Sequence, residues 1–261
     1  MFRKFRILVL LLILLVVAHG AWRAKVRITS WKNTVYVALF PIAADTTPET
    51  AQFIGALKVG DFAPIETWLQ QEARRYGSSL ESPVRILLAP EVRKQPPAQP
   101  IRNSMPSVIL WSLKLRWWAF WNDKTGDNFI RNPQVRLFVL FHAAAPGKTL
   151  PHSTGLEKGG IGIVHVFAHA EQRGQNAVVI AHELLHTFGA SDKYNPVTLQ
   201  PEYPDGYANP DQRPPLPQTE AEIMAGRIPL RSDTAEIPLN LTQTRIGNAT
   251  AVEIGLVPAP K

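Results

Sequence analysis

The longest uninterrupted apolar run in the chain is Ile7 to Ala18, "ILVLLLILLVVA", set behind a short basic head. A run of this length is short for a membrane span, which needs about 20 residues. It fits the core of a signal peptide, with Ala18-His19-Gly20 as a small-x-small cleavage site. If His19 to Trp22 are tolerated at the lipid interface, the segment would instead remain as an anchor. Residues 1–22 are therefore predicted to be a signal peptide or N-terminal membrane anchor, and the protein to be exported, either anchored or secreted after cleavage.

Downstream the periodicity alternates between strand and helix. "TVYVALFPI" (34–42), rich in β-branched and aromatic residues, reads as a buried strand. "PIETWLQQEARRYG" (64–77) reads as a helix with Pro64 in its first turn, Ile65, Trp68 and Leu69 on one face, and Gly77 at its end. "VRILLAP" (84–90) is a second strand, and "KQPPAQP" (94–100) a proline-rich loop. Residues 107–121, "SVILWSLKLRWWAFW", read as a helix. Its four tryptophans, with Lys114 and Arg116 among them, suit either a membrane-interface belt or a helix packed on a sheet. "VRLFVLFHA" (135–143) is a third strand. A Gly-rich loop then leads to "IGIVHVFAH" (161–169), whose loose alternation suggests the edge of a sheet. "NAVVIAHELLHTFGA" (176–190) is a helix, with Asn176 as its N-cap and Gly189 as its stop.

Beyond that helix the texture changes. Residues 195–217 hold seven prolines and are expected to be ordered loop. "PDGYANPDQ" within it has spaced oxygens, but their spacing matches no calcium loop and reads as a turn cluster. The expected fold class is α+β. Residues 30–190 would form an α/β lobe with a mixed, twisted sheet, and 191–261 a small irregular C-terminal lobe.

Charge changes this picture less than the net +7 suggests. Arg3, Lys4, Arg6, Arg23, Lys25, Arg27 and Lys32 precede the first acid, Asp45, and the other 21 Lys and Arg meet 21 Asp and Glu. The excess flanks the apolar segment, so no footprint for nucleic acid is present. The absence of cysteine excludes disulfides and thiol-based latency.

The candidate chemistry lies in "HELLHTFGASDKY" (182–194). His182 and His186 stand four apart, one turn of helix, and project from one face. That separation suits two imidazoles converging on one tetrahedral zinc. Glu183 falls to the side, where it can take a proton from a water that zinc has acidified. Val178, Val179, Ile180, Leu184, Leu185 and Phe188 make the helix apolar nearly all round, so it should be buried. Two histidines and a glutamate buried without partners would cost several kcal/mol, a cost that a metal and a wet cleft remove. A catalytic zinc needs a third protein ligand, and Gly189 permits the sharp turn after which Asp192 could reach back to the metal.

The pattern H-E-x-x-H-x-x-G-x-x-D resembles the metzincin clan of zinc peptidases, most closely its snapalysin-like branch, in which aspartate replaces the third histidine. The resemblance implies His182, His186 and Asp192 as zinc ligands, Glu183 as general base, Gly189 as the turn, and a protein or peptide substrate. It also implies a methionine turn beneath the metal, for which Met224 in "AEIMAGR" is the candidate beside the plainer reading of a core methionine. Metzincins place an edge strand just before the zinc helix, here 161–168, where extended substrate pairs by strand addition. The motifs cover about 161–226.

The chain also departs from that pattern. Some metzincins carry a tyrosine two residues after the methionine, where this chain has Gly226. Tyr194 could stabilise the oxyanion instead, or merely pack. The alternative third ligand is a downstream glutamate, Glu202, Glu220 or Glu222, as in gluzincins. A catalytically silent zinc module that binds a partner in the envelope is the other alternative. His142, His152, His165 and His169 cluster upstream and could hold a second, structural metal, as in some metzincins, but without the spacing of a ligand set they read as ordinary histidines. Oligomeric state is not legible.

Overall fold

The computed structural model describes residues 2–100, 104–123, 133–145, 147–156 and 160–258. Part of the Gly-rich loop before the fourth sequence-predicted strand lies outside these residues. The fold is α+β, built on a mixed five-stranded sheet of β1 (Val35–Ala43), β2 (Val84–Leu88), β3 (Val135–His142), β4 (Thr154–Leu156) and β5 (Ile161–Phe167). The strand order is β2-β1-β3-β5-β4. The first four strands in that order run parallel, and β4 is antiparallel to β5.

Parallel neighbours require crossovers. Helices α2 (Pro48–Gly55) and α3 (Ala63–Arg75) supply the first and α4 (Met105–Asn122) the second. Both faces of the central strands are covered, which explains why β1 and β3 read as almost unbroken apolar runs. On one face Val37, Leu39, Val139, Phe141 and Val166 pack against Ile65, Trp68 and Leu69 of α3 and against α5 (Arg173–Phe188). On the other face Phe40, Phe138 and Leu140 meet Trp111, Leu115 and Ala119 of α4. Thus α4 does pack on the sheet, but only by one stripe.

Two sequence expectations are corrected here. β5 is not the sheet edge, because β4 pairs along its first half. Its alternation is loose because β5 is buried on both faces. The true edge is a three-residue strand, too short to show a period. Asn176 is not an N-cap. A 3-10 turn at Ala170–Gln172 runs directly into α5, which therefore begins three residues earlier, at Arg173. The Asn176 side chain instead clips Phe167 of β5, donating to its carbonyl at 2.8 Å and accepting from its N–H at 3.3 Å.

Residues 195–217 hold no helix or named strand. Beyond them come the short pairs β6 (Ala221–Glu222) with β9 (Thr244–Arg245) and β7 (Ile228–Arg231) with β8 (Thr234–Glu236), then α6 (Asn248–Glu253). Ile223, Met224, Leu241, Ile246, Ala251 and Ile254 join the apolar cluster that contains α5. Glu72 of α3 fixes this region by accepting from the Ile246 N–H at 2.7 Å, and the Tyr76 hydroxyl donates to the Ile246 carbonyl at 2.8 Å.

The N-terminal apolar run lies in α1 (Phe2–Thr29), several of whose side chains are outside the described set. Among the described residues, no helix is long and apolar enough to cross a membrane. The end of α1 is tied down: Ile28 is buried, and Trp31 donates from Nε1 to the Ile254 carbonyl at 2.8 Å.

Candidate metal centre

The site begins with how α5 ends. Gly189 takes φ +108°, a left-handed conformation that a side chain would strain. Its N–H bonds the His186 carbonyl, and the Ala190 N–H bonds the Leu185 carbonyl, each at 3.1 Å, a Schellman pair. The chain then reverses, and Asp192 returns to the histidines. Asp192 Oδ1 lies 3.2 Å from Nε2 of both His182 and His186, and the two Nε2 atoms are 3.1 Å apart.

The opposite ring nitrogens fix what those Nε2 atoms can be. His182 Nδ1 lies 2.9 Å from the Ile223 carbonyl and His186 Nδ1 2.8 Å from the Ala190 carbonyl. A carbonyl only accepts, so each Nδ1 carries the hydrogen, and in the neutral ring Nε2 keeps its lone pair. Two lone pairs and a carboxylate oxygen then face one another. Burial works against protonating His182, but the bond to Asp192 and the charge of Glu183 lift its pKa to about 9. Burial would raise Asp192, yet its bonds to the two histidines hold it well below the usual carboxylate range. The donor set of two nitrogens and one oxygen is the kind a tetrahedral zinc takes with one position open. Among the described residues it is the group that could hold a metal.

Glu183 is 5 % exposed, and its Oε2 has no hydrogen-bond partner. Burial raises its pKa, against the pull of His182 and His186 and of the Gly155 N–H. Gly155 lies at the centre of β4, and its hydrogen is needed there. A Cβ would stand 2.5 Å from His186 Cβ and 2.6 Å from the Glu183 carbonyl oxygen. The strand therefore lies directly against the helix that carries the histidines. Tyr194 also lies near the site: burial and the neighbouring carboxylates of Asp192 and Glu183 raise its pKa.

Two supports were not anticipated from the sequence. The first is Glu253 of α6, which holds the segment carrying Asp192. It accepts from the Ser191 N–H at 2.9 Å, the Ser191 hydroxyl at 2.7 Å and Lys193 Nζ at 2.6 Å. The second is Glu222, fully buried beneath the turn that carries Met224. Its Oε2 accepts from the N–H groups of Met224 and Ala225 at 2.6 and 3.0 Å. Its Oε1 accepts from the Gly247 N–H and the Thr250 hydroxyl at 2.9 and 2.7 Å. Burial raises its pKa against these four donors. The turn is tied to the site twice, through the Ile223 carbonyl on His182 and the Met224 carbonyl on the Lys193 N–H. Met224 itself is fully buried in the core around α5.

The other sequence candidates fall elsewhere. Glu202 is exposed, Glu220 pairs with Arg245 at 2.7 Å, and Glu222 is saturated as described, so none of the three joins the histidines. His142 and His165 do meet, with Nε2 and Nδ1 2.9 Å apart on the α4 face of the sheet. His152 and His169 are exposed, and no described third ligand completes that pair. "PDGYANPDQ" forms turns clamped by Gln218, whose side chain bonds both backbone groups of Asn209.

Neither a family model nor a curated protein matches the chain. Among solved structures, it is similar to wild-type OgpA from Akkermansia muciniphila at 12 % identity and a TM-score of 0.37, covering 87 % of this chain and 63 % of that one. It is also similar to a chain of a chaperone–substrate complex at 13 % identity and a TM-score of 0.39, covering 85 % of this chain and 34 % of that one. At these scores neither likeness bears on activity.

Proposed function

We propose that the protein is a zinc-dependent peptidase with a metzincin-like arrangement of the snapalysin type, exported and either anchored or released. The observation that carries this reading is the convergence of His182 Nε2, His186 Nε2 and Asp192 Oδ1 within 3.2 Å, beside the unpartnered Oε2 of Glu183. Zinc held by these three residues would polarise a peptide carbonyl and acidify water. Glu183 takes the proton of the attacking water on Oε2 and passes it to the leaving amine. Its burial raises its basicity, against the pull of the two histidines and of the Gly155 N–H. The Tyr194 hydroxyl, whose pKa burial and the charges of Asp192 and Glu183 raise, is the candidate donor to the developing oxyanion. β4 ends the sheet beside Gly155, and its outer edge suits an extended peptide.

The test uses zinc-loaded protein and an unbiased peptide library read by mass spectrometry. Glu183→Gln keeps the metal and lowers cleavage by about two to three orders of magnitude, the scale for losing a positioned base. The double variant His182→Ala/His186→Ala loses stoichiometric zinc. Cleavage by E183Q at the wild-type rate, or full zinc in the double variant, would refute the reading.

A further inference from the structure

Helix α4 is apolar on two faces and uses only one of them. Trp111, Leu115 and Ala119 face the sheet. Ile109, Leu110, Leu113, Trp117, Phe120 and Trp121 point away from it, and each is at least 54 % exposed. Their three- and four-residue spacings make them one stripe. A soluble monomer rarely leaves so large a contiguous apolar surface in water. We infer that this stripe is a docking surface for a lipid bilayer, on which α4 lies in the plane of the interface.

Three observations favour lipid as the occupant. The first is chemical. Between residues 104 and 122 there is no acid, the only charges are Lys114 and Arg116, and four tryptophans are present. Aromatic rings with a few cations are the composition of interfacial helices.

The second is position. The C-terminal end of α4 is held by Asp123, which pairs with Arg136 at the start of β3. In the same rim of the sheet, the side chain of Gln134 accepts from the Tyr36 N–H at the start of β1. The chain enters β1 from α1, so the aromatic end of α4 and the exit of α1 share one rim.

The third is charge. α1 and the turn after it carry seven cations with no acid before Asp45, and α1 exposes Phe5, Leu10, Leu11, Leu12 and Leu15. A cationic apolar helix that leaves the same rim of the sheet complements anionic headgroups, although its last turn packs on the α5 face through Ile28. A protein partner would cover the α4 stripe equally well, so the choice of lipid rests on the tryptophans and cations of α4 and on the rim it shares with α1. Because α4 and α5 pack on opposite faces of the sheet, docking leaves the candidate metal centre on the aqueous side.

The chain has no cysteine, so a single introduced thiol can carry an environment-sensitive fluorophore. Full-length Leu113→Cys, Phe120→Cys, Leu11→Cys and, as a control, Val197→Cys are labelled. They are added to vesicles of phosphatidylcholine and phosphatidylglycerol with brominated acyl chains. The labels at 113 and 120 are expected to shift to the blue and be quenched, and the label at 197, where Val197 is 88 % exposed, to be unchanged. The triple variant L113S/W117S/W121S should lower vesicle partitioning about tenfold, since binding scales with buried apolar area. Quenching at 11 without quenching at 113 and 120 would overturn the proposal, because α1 alone would then hold the lipid. So would an absence of vesicle binding, or a concentration-dependent blue shift without vesicles, which would make a second copy the occupant. None of these outcomes depends on zinc or peptidase activity, so this inference and the proposed function fail separately.

Discussion

Glutamine at position 222 would exchange one buried carboxylate oxygen for an amide nitrogen while changing the shape of the side chain very little. The structure makes the cost calculable. With the amide nitrogen at the Oε2 position, two backbone donors, Met224 and Ala225, would face a third donor. At the Oε1 position it would oppose only the Gly247 N–H, because the Thr250 hydroxyl can rotate and accept. The second orientation is therefore the cheaper. It strands one buried N–H, at about 1–3 kcal/mol, and turns two charge-assisted bonds into neutral ones, at about 1 kcal/mol each. Release from burying a charge offsets part of this, since burial already raises the Glu222 pKa. The expected net loss is about 2–4 kcal/mol of stability.

Equilibrium urea unfolding, with and without chelator, measures that loss as a lower midpoint at unchanged slope. Zinc stoichiometry in the folded variant should remain that of wild type, because Glu222 supports the turn under the site and does not face the histidines. A midpoint within about 0.5 kcal/mol of wild type would mean that the four donors are not held as described. Loss of zinc with the midpoint unchanged would make Glu222 a ligand and revive the glutamate alternative.

The remaining predictions concern the supports of the site and the N-terminus. Gly155→Ala, whose Cβ would lie 2.5 Å from His186 Cβ, should push β4 off α5 and cost about 1–3 kcal/mol together with cleavage activity; a wild-type urea midpoint would refute the contact. Glu253→Gln should weaken zinc affinity about tenfold in a chelator competition, the scale for residues that orient ligands; unchanged affinity would mean that the Ser191–Lys193 segment holds itself. Burial raises Glu253, but Lys193 and Ser191 hold its pKa below the usual value. Its stabilisation is therefore complete above about pH 4.5 and lost as pH falls through the folded value. The gap in urea midpoint between wild type and E253Q should close over that window, and a gap independent of pH would contradict the sign. Residues 1–33 fused to a reporter active only outside the cytoplasm should report export; activity confined to the cytoplasm would contradict it.

What was legible in the sequence was what depends on short-range spacing. β1, β3, α3 and α5 each carry a long period or a long apolar run, and their ends fell within a few residues of expectation. The two histidines and Gly189 belong to one helix and its stop, so local geometry suffices to bring them together. β4 was missed because three residues cannot establish alternation, and its significance lies in Gly155, where the missing side chain is the feature. α2 was missed because eight residues with only Thr50 and Ile54 buried show almost no stripe. α4 was read as either a membrane or a sheet helix because its sequence satisfies both patterns, and the structure shows two apolar faces with one of them covered.

The roles of the carboxylates were less legible because environment assigns them and residue type does not. Asp192, Glu183 and Glu222 are all acids around one helix end, and each alone could be drawn as ligand or base. Asp192 faces two imidazole nitrogens and is held ionised, which suits a ligand and makes it a poor proton acceptor. Glu222 has both oxygens filled by four donors, so neither a metal nor a proton in transit can use it without breaking the turn. Glu183 keeps one oxygen bare in a buried setting that favours taking a proton. A bare buried carboxylate oxygen costs free energy, and its neighbours relieve that cost only in part. Glu183→Gln should therefore fold at least as stably as wild type while losing turnover. That outcome would separate Glu183 from Glu222, whose replacement lowers stability, although both variants keep the metal.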